Sequence, residues 1–61
     1  MEKAETPGFR LGQKGLFAVL DAFGAPTHQL EGTIVYLAEF HSTVYAILLT
    51  SGGDYRPVRI N

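Results

Sequence analysis

Cysteine and tryptophan are both absent from this 61-residue chain. Without cysteine no disulfide can staple the fold, and no thiolate can serve as nucleophile or metal ligand. Small secreted domains usually carry such staples, so their absence predicts a reducing, cytoplasmic setting. A membrane-spanning helix needs roughly 18 to 20 consecutive apolar residues, and every apolar run here is broken by charge or turn residues long before that. A secretory leader is not expected either, because Glu2, Lys3 and Glu5 stand where a basic region and then an apolar one would lie. Charge of one sign is also lacking: five Lys and Arg against six Asp and Glu leave a net charge of −1. Beyond the first eight residues, Arg10, Lys14, Arg56 and Arg59 balance Asp21, Glu31, Glu39 and Asp54. A neutral domain has no large electrostatic footprint for non-specific nucleic-acid binding.

What is present is apolar, and much of it is β-branched or aromatic. Hydrophobic residues make up 46% of the chain and charged ones 18%. A chain this short buries only about 60% of the surface its unfolded form exposes, so the stability margin is thin. Such a domain relies on an unusually apolar core or on association with copies of itself or a partner.

The most strand-like stretches are Leu30 to Leu37 and Val44 to Thr50. Residues 1–8 are polar, lack periodicity and end in Thr6-Pro7-Gly8, which predicts a flexible, disordered tail ahead of a domain over 9–61. Phe9 to Leu11 has two apolar residues at a spacing of two, and Gly12-Gln13-Lys14-Gly15 then turns the chain. Leu16 to Ala22 reads as the first full strand, with Phe17 and Val19 on one face and Leu16, Ala18 and Leu20 on the other, so cover on both sides is expected. Phe23 to His28 reads as a loop from its Gly and Pro. Gly32, inside a good strand, marks a bulge, a bend or the close approach of another backbone. Ser51-Gly52-Gly53-Asp54 signals a tight turn, and Tyr55 to Ile60 a last strand in which Pro57 argues for an edge or a bulge. A helix over Leu37 to Leu49 loses on residue type, since Val, Thr, Tyr and Ile dominate there. The fold class expected is all-β: a small, strongly bent five-stranded barrel, which limits exposed edges.

In that order of elements, Leu30-Glu31-Gly32-Thr33-Ile34-Val35 resembles the bent strand of the Src-homology-3-like small barrels, including the KOW and ribosomal-protein barrels. Leu30, Gly32 and Ile34, followed by Ile47-Leu48-Leu49, are similar to the first motif of Sm-like proteins. Each resemblance covers about half of the chain and implies a small barrel. RNA binding is not carried over from the Sm-like proteins, because the turn after the bent strand is Glu39-Phe40-His41-Ser42 rather than one with Asp and Asn. Proline-peptide binding is not carried over either, because the Ala-Leu-Tyr-Asp-Tyr motif and the paired tryptophans are missing. A third resemblance is to small plasmid-borne dihydrofolate reductases, which also end in a basic-Ile-Asn tail, here Arg59-Ile60-Asn61. That likeness implies an enzyme with its site at an oligomer pore, yet the Val-Gln-Ile-Tyr motif has no counterpart here.

Candidate chemical groups read mostly as ordinary surface. His28 and His41 are the only imidazoles, and with Glu39 the chain offers at most three of the three or four converging ligands a metal site needs, so they read as surface or turn histidines. Ser42, Thr43 and Ser51 lack a Gly-x-Ser-x-Gly setting. Gly12 to Gly15 lacks the spacing of a phosphate loop. Arg10, Lys14, Arg56 and Arg59 make a basic strip for nucleic acid only if the first and last segments pair, and Arg56 and Arg59 point to opposite faces. The aromatics are more telling. A barrel this small cannot bury all seven Phe and Tyr, so Phe23, Tyr36, Phe40, Tyr45 and Tyr55 are expected to include a protein-binding cluster. The expectation is a non-enzymatic protein-interaction module, a small bacterial or phage accessory or regulatory protein. It binds a larger protein, self-associates into a homo-oligomer, and uses no cofactor, metal or membrane. The alternatives are an RNA- or DNA-binding barrel and the oligomer-pore enzyme.

Overall fold

One strand twice the length of the others organises the chain. In the structure, a computed structural model that describes residues 8–61, the strands are β1 (Lys14–Leu20), β2 (Pro26–Phe40), β3 (Thr43–Leu49) and β4 (Tyr55–Arg59). The first half of β2 pairs with β1, from Pro26↔Leu20 to Thr33↔Lys14. Its second half pairs with β3, from Thr33↔Leu49 to Phe40↔Thr43. β3 pairs with β4 over five positions, and Leu20↔Arg59 joins β4 back to β1. All pairings are antiparallel and the four strands form a closed ring.

The all-β expectation holds, with four strands among the described residues instead of five. Phe9 to Leu11 contributes only an isolated bridge at Phe9. The rest of that segment is a turn in which the Gln13 N–H donates to the Arg10 carbonyl at 3.2 Å. β1 starts at Lys14, inside the stretch read as a turn, and ends at Leu20. The following loop spans only residues 21–25, and Pro26 takes the first position of β2, where its missing N–H costs no ladder bond. Of the expected tail, residues 1–7 lie outside the described residues.

The core lies inside the ring. Phe17, Ile34, Val44, Ala46, Leu48 and Ile60 are buried together, with Phe9, Leu30, Leu37 and Val58 packed around them. Ile34 and Leu48 are paired across β2 and β3, and both are fully buried. Removing each from water is worth about 1.5–3 kcal/mol. The outer side is open, contrary to the expectation of cover on both faces of β1. Phe17 and Val19 are buried, but Leu16 is 61% exposed and Ala18 faces solvent.

Two features bend β2, and they lie three residues apart. The register slips between Ile34↔Leu48 and Tyr36↔Ile47, leaving Val35 as the extra residue of a β-bulge. Ile34 and Leu37 therefore both face the core, while Val35 and Tyr36 both face out, 41% and 55% exposed. Strict alternation would put Tyr36 on the same face as Ile34; the inserted residue instead moves everything after it to the opposite face. Gly32 is not the bulge. It marks a close approach: a Cβ there would lie 2.9 Å from the Leu49 carbonyl oxygen and 3.3 Å from Leu48 Cβ. Its register partner on β1, Gly15, has open space around the same position.

At the far end of β2 the chain reverses over His41 and Ser42, at φ 52° and 66°. Two left-handed residues in a two-residue hairpin define the primed turn whose twist suits the flanking strands. Neither is the glycine or asparagine that adopts this conformation without strain.

Three substitutions test this geometry. Gly32→Ala lowers unfolding free energy by about 2 kcal/mol, because the clash is with backbone that cannot rotate away. Gly15→Ala is neutral or mildly stabilising. Urea midpoints for the two variants measure the contrast. Ser42→Gly raises the midpoint, by roughly 1 kcal/mol of relieved strain.

Candidate functional site

Directly opposed residues in an antiparallel pair share a face, so the register gives the composition of the outer wall. Three rows cross β2, β3 and β4. The first is Ala38, Tyr45 and Arg59, the second Tyr36, Ile47 and Pro57, and the third Thr33, Leu49 and Tyr55. Phe40↔Thr43 extends the wall to the hairpin tip. Tyr36, Tyr45 and Tyr55 are 55%, 46% and 65% exposed, and Phe40 is 66% exposed. A groove of about 390 Å³ runs across the first two rows, lined by Tyr36, Tyr45, Ile47, Pro57 and Arg59 along with parts of Ala46 and Val58. No carboxylate stands within the three rows, but Lys14 is the register partner of Thr33 on β1 and Glu31 lies beside Thr33 and Leu49, so both charges flank the third row.

Pro57 sits mid-strand yet does not break the ladder. The Ile60 N–H donates to the Val44 carbonyl, and the Thr50 N–H donates to the Asp54 carbonyl. Hydrogen-bonded and non-bonded pairs alternate along an antiparallel ladder. Ile47↔Pro57 is therefore a non-bonded pair, and the Pro57 nitrogen faces the outer edge of β4. An edge lacking a donor there is a poor template for another strand.

Arg59 connects this wall to the β1–β2 loop. Its Nη1 donates to the carbonyls of Ala22 at 2.9 Å and Asp21 at 3.3 Å, and its Nε donates to the Asn61 carbonyl at 3.2 Å. Inside the loop, Asp21 Oδ1 accepts from the Ala25 N–H at 3.0 Å and the Phe23 N–H at 2.9 Å. The Gly24 N–H donates to the Asp21 carbonyl at 3.0 Å, with Gly24 at φ +85°. This network holds Phe23 out at the apex, 94% exposed. The loop N–H donors, Ala25 first and then Phe23, hold the Asp21 carboxyl below its ordinary value of 3.8, with a smaller contribution from Arg59.

Of the five aromatics expected to bind a partner, the structure brings Tyr36, Phe40, Tyr45 and Tyr55 onto one wall. Phe23 stands apart on the clipped loop. The Phe40 ring makes an edge contact with the His41 ring at 4.2 Å. Val35, Ile47 and Pro57, which complete the wall, were not singled out from the sequence. The alternation of Tyr45, Ile47 and Leu49 held part of that signal.

The four cations are dispersed. Arg10 lies in the lead-in turn and Lys14 at the start of β1. Lys14 lines a separate groove of about 240 Å³ together with Glu31, Thr33, Thr50 and Ser51. Arg56 pairs with Leu48 and is exposed at the rim of the ring, while Arg59 is on the opposite side of β4 with its guanidinium engaged. The first and last strands meet only at Leu20↔Arg59, so strand pairing does not assemble the four into a strip.

Among the described residues no three His, Cys, Asp or Glu side chains gather as a metal site, and no polar or charged side chain is buried. No helix among them is long and apolar enough to cross a membrane. Comparisons with family models, with curated proteins and with solved structures give no match.

A depressed carboxyl stabilises the fold fully above its unfolded value, and the effect is lost as pH falls through the folded one. Asp21→Asn keeps an oxygen acceptor for the loop donors and removes the charge. Wild type is thus more stable than Asp21→Asn near neutrality, and the difference closes once the pH drops below the lowered value of the Asp21 carboxyl. Thermal melts between pH 7 and strong acid read this out.

Proposed function

We propose that the ring is a small barrel of the Src-homology-3-like kind, acting in the cytoplasm as a non-enzymatic protein-interaction module. In this reading it is a bacterial or phage accessory or regulatory protein that binds a larger protein partner through the β2–β3–β4 wall. One observation carries the proposal: Tyr36, Tyr45, Phe40 and Tyr55 stand exposed on one wall around an apolar groove. Aromatic residues with apolar bodies and polar tips are enriched at protein interfaces and dominate their energetics. Phe23, displayed on its clipped loop apart from the wall, would be a separate contact.

The alternative is an Sm- or KOW-like barrel that stacks bases on the same aromatics and meets phosphates with Arg10, Lys14, Arg56 and Arg59. The scattered cations and the engagement of the Arg59 guanidinium with loop carbonyls weigh against it.

Affinity capture from the native cell extract should retain a protein on wild type and lose it on Tyr45→Ala and Phe40→Ala, both exposed positions that leave the core intact. Retention unchanged by either substitution contradicts the reading. A salt-sensitive mobility shift with short RNA or DNA at low ionic strength would favour the nucleic-acid alternative instead.

A further inference from the structure

We infer that, when no larger partner is bound, the β2–β3–β4 wall is covered by a second copy of this chain, packed face to face about a two-fold axis. The inference rests on the wall being a protein interface and names its occupant. The first argument is area. At 150–250 Å² for a fully exposed aromatic side chain, Tyr36, Phe40, Tyr45 and Tyr55 together present roughly 450 Å². Val35, Ile47 and Pro57 and the remaining outer residues bring the wall towards the about 800 Å² per partner that a standard stable interface buries. The whole described molecule exposes 4187 Å², so such an interface would cover about one-fifth of it.

The second argument is charge. An isologous interface sets a surface against itself, and like charges on it would meet. By register the three rows carry no acid and one cation, Arg59, whose guanidinium is hydrogen-bonded to the Asp21 and Ala22 carbonyls, while Lys14 and Glu31, of opposite sign, flank the third row beside Thr33 and Leu49. Within its rows the wall therefore sets little like charge against a copy of itself, and the flanking Lys14 and Glu31 are opposite in sign. The complement it asks for is neutral, apolar and aromatic, which is its own character.

The third argument is the exclusion of the other common mode of pairing. Edge-to-edge strand addition at β4 meets the donorless Pro57 nitrogen. The face is thus favoured over the β4 edge. Ile47 is the centre of the three rows, flanked by Tyr36 and Pro57 across the sheet and by Tyr45 and Leu49 along β3. A two-fold axis lying in the interface plane and passing over that centre sets Ile47 opposite its own counterpart, whichever way the axis points.

Light scattering on eluting protein, over a range of concentrations, tests the proposal. Wild type should run as a dimer at tens of micromolar. Tyr45→Glu and Tyr55→Glu should each weaken it by at least about tenfold, with circular dichroism unchanged, whereas Leu16→Glu on the exposed face of β1 should leave it intact. Because the chain has no cysteine, Ile47→Cys and Leu16→Cys each introduce a single reporter. Mild oxidation should link Ile47→Cys into a covalent dimer well ahead of Leu16→Cys. A wild-type monomer at hundreds of micromolar, a dimer indifferent to both glutamates, or equal crosslinking of the two cysteines overturns the proposal. A monomer that still captures a larger protein in a Tyr45-dependent way removes the copy and leaves the interface reading standing. A Tyr45-dependent dimer that captures nothing supports the copy and removes the larger partner.

Discussion

The structure depends on a single long strand serving two neighbours at once. β2 spends its first half on β1 and its second on β3, and with so few strands the ring closes only if β2 bends sharply. The bend brings the Leu49 carbonyl against Gly32, where no side chain fits, and a few residues later the bulge at Val35 steps the register. The same step sends Leu37 to the core and Tyr36 to the outside. The device that encloses the core also builds the aromatic wall.

The ring is unevenly tied. β1 and β4 share one ladder position, while the other junctions share five or more. Arg59 supplements that junction by reaching from β4 to two carbonyls of the β1–β2 loop. Hydrogen bonds to a charged group are worth more than neutral ones, so a single side chain links the closure of the ring to the conformation of the loop that displays Phe23. A junction with so few bonds is where local opening is expected to begin. Motion there would disturb the Tyr45 and Arg59 row of the wall before it reached Ile34 and Leu48.

A wall whose rows carry a single cation, hydrogen-bonded to loop carbonyls, would recognise a partner mainly by shape. Electrostatic steering has little to act on here, so association speed and salt dependence should be modest. Discrimination falls to how the aromatic rims and the groove between them are filled. Such a surface suits a small domain that needs burial beyond its own core, since the thin core of a short chain and an exposed apolar face can be completed by the same contact.

Composition and alternation were enough to read an all-β chain, the two central strands, the tight turn before β4 and the importance of Gly32. Those features follow from local chemistry: β-branched residues favour the extended backbone, glycines permit turns, and a lone glycine in a strand implies crowding. The excess of aromatics over core volume likewise pointed to an exposed set. Other features were not legible. The turn at Glu39 to Ser42 marks the reversal between the two central strands, but not its two left-handed residues; the bulge at Val35 looks like any other strand position, and the clip from Arg59 spans 37 residues to Ala22. The sequence by itself determined which residues are greasy and which segments extend. Which of them face outward together was decided only by the tertiary structure, because one extra residue in the ladder reverses every side chain beyond it and depends on how two distant strands pair.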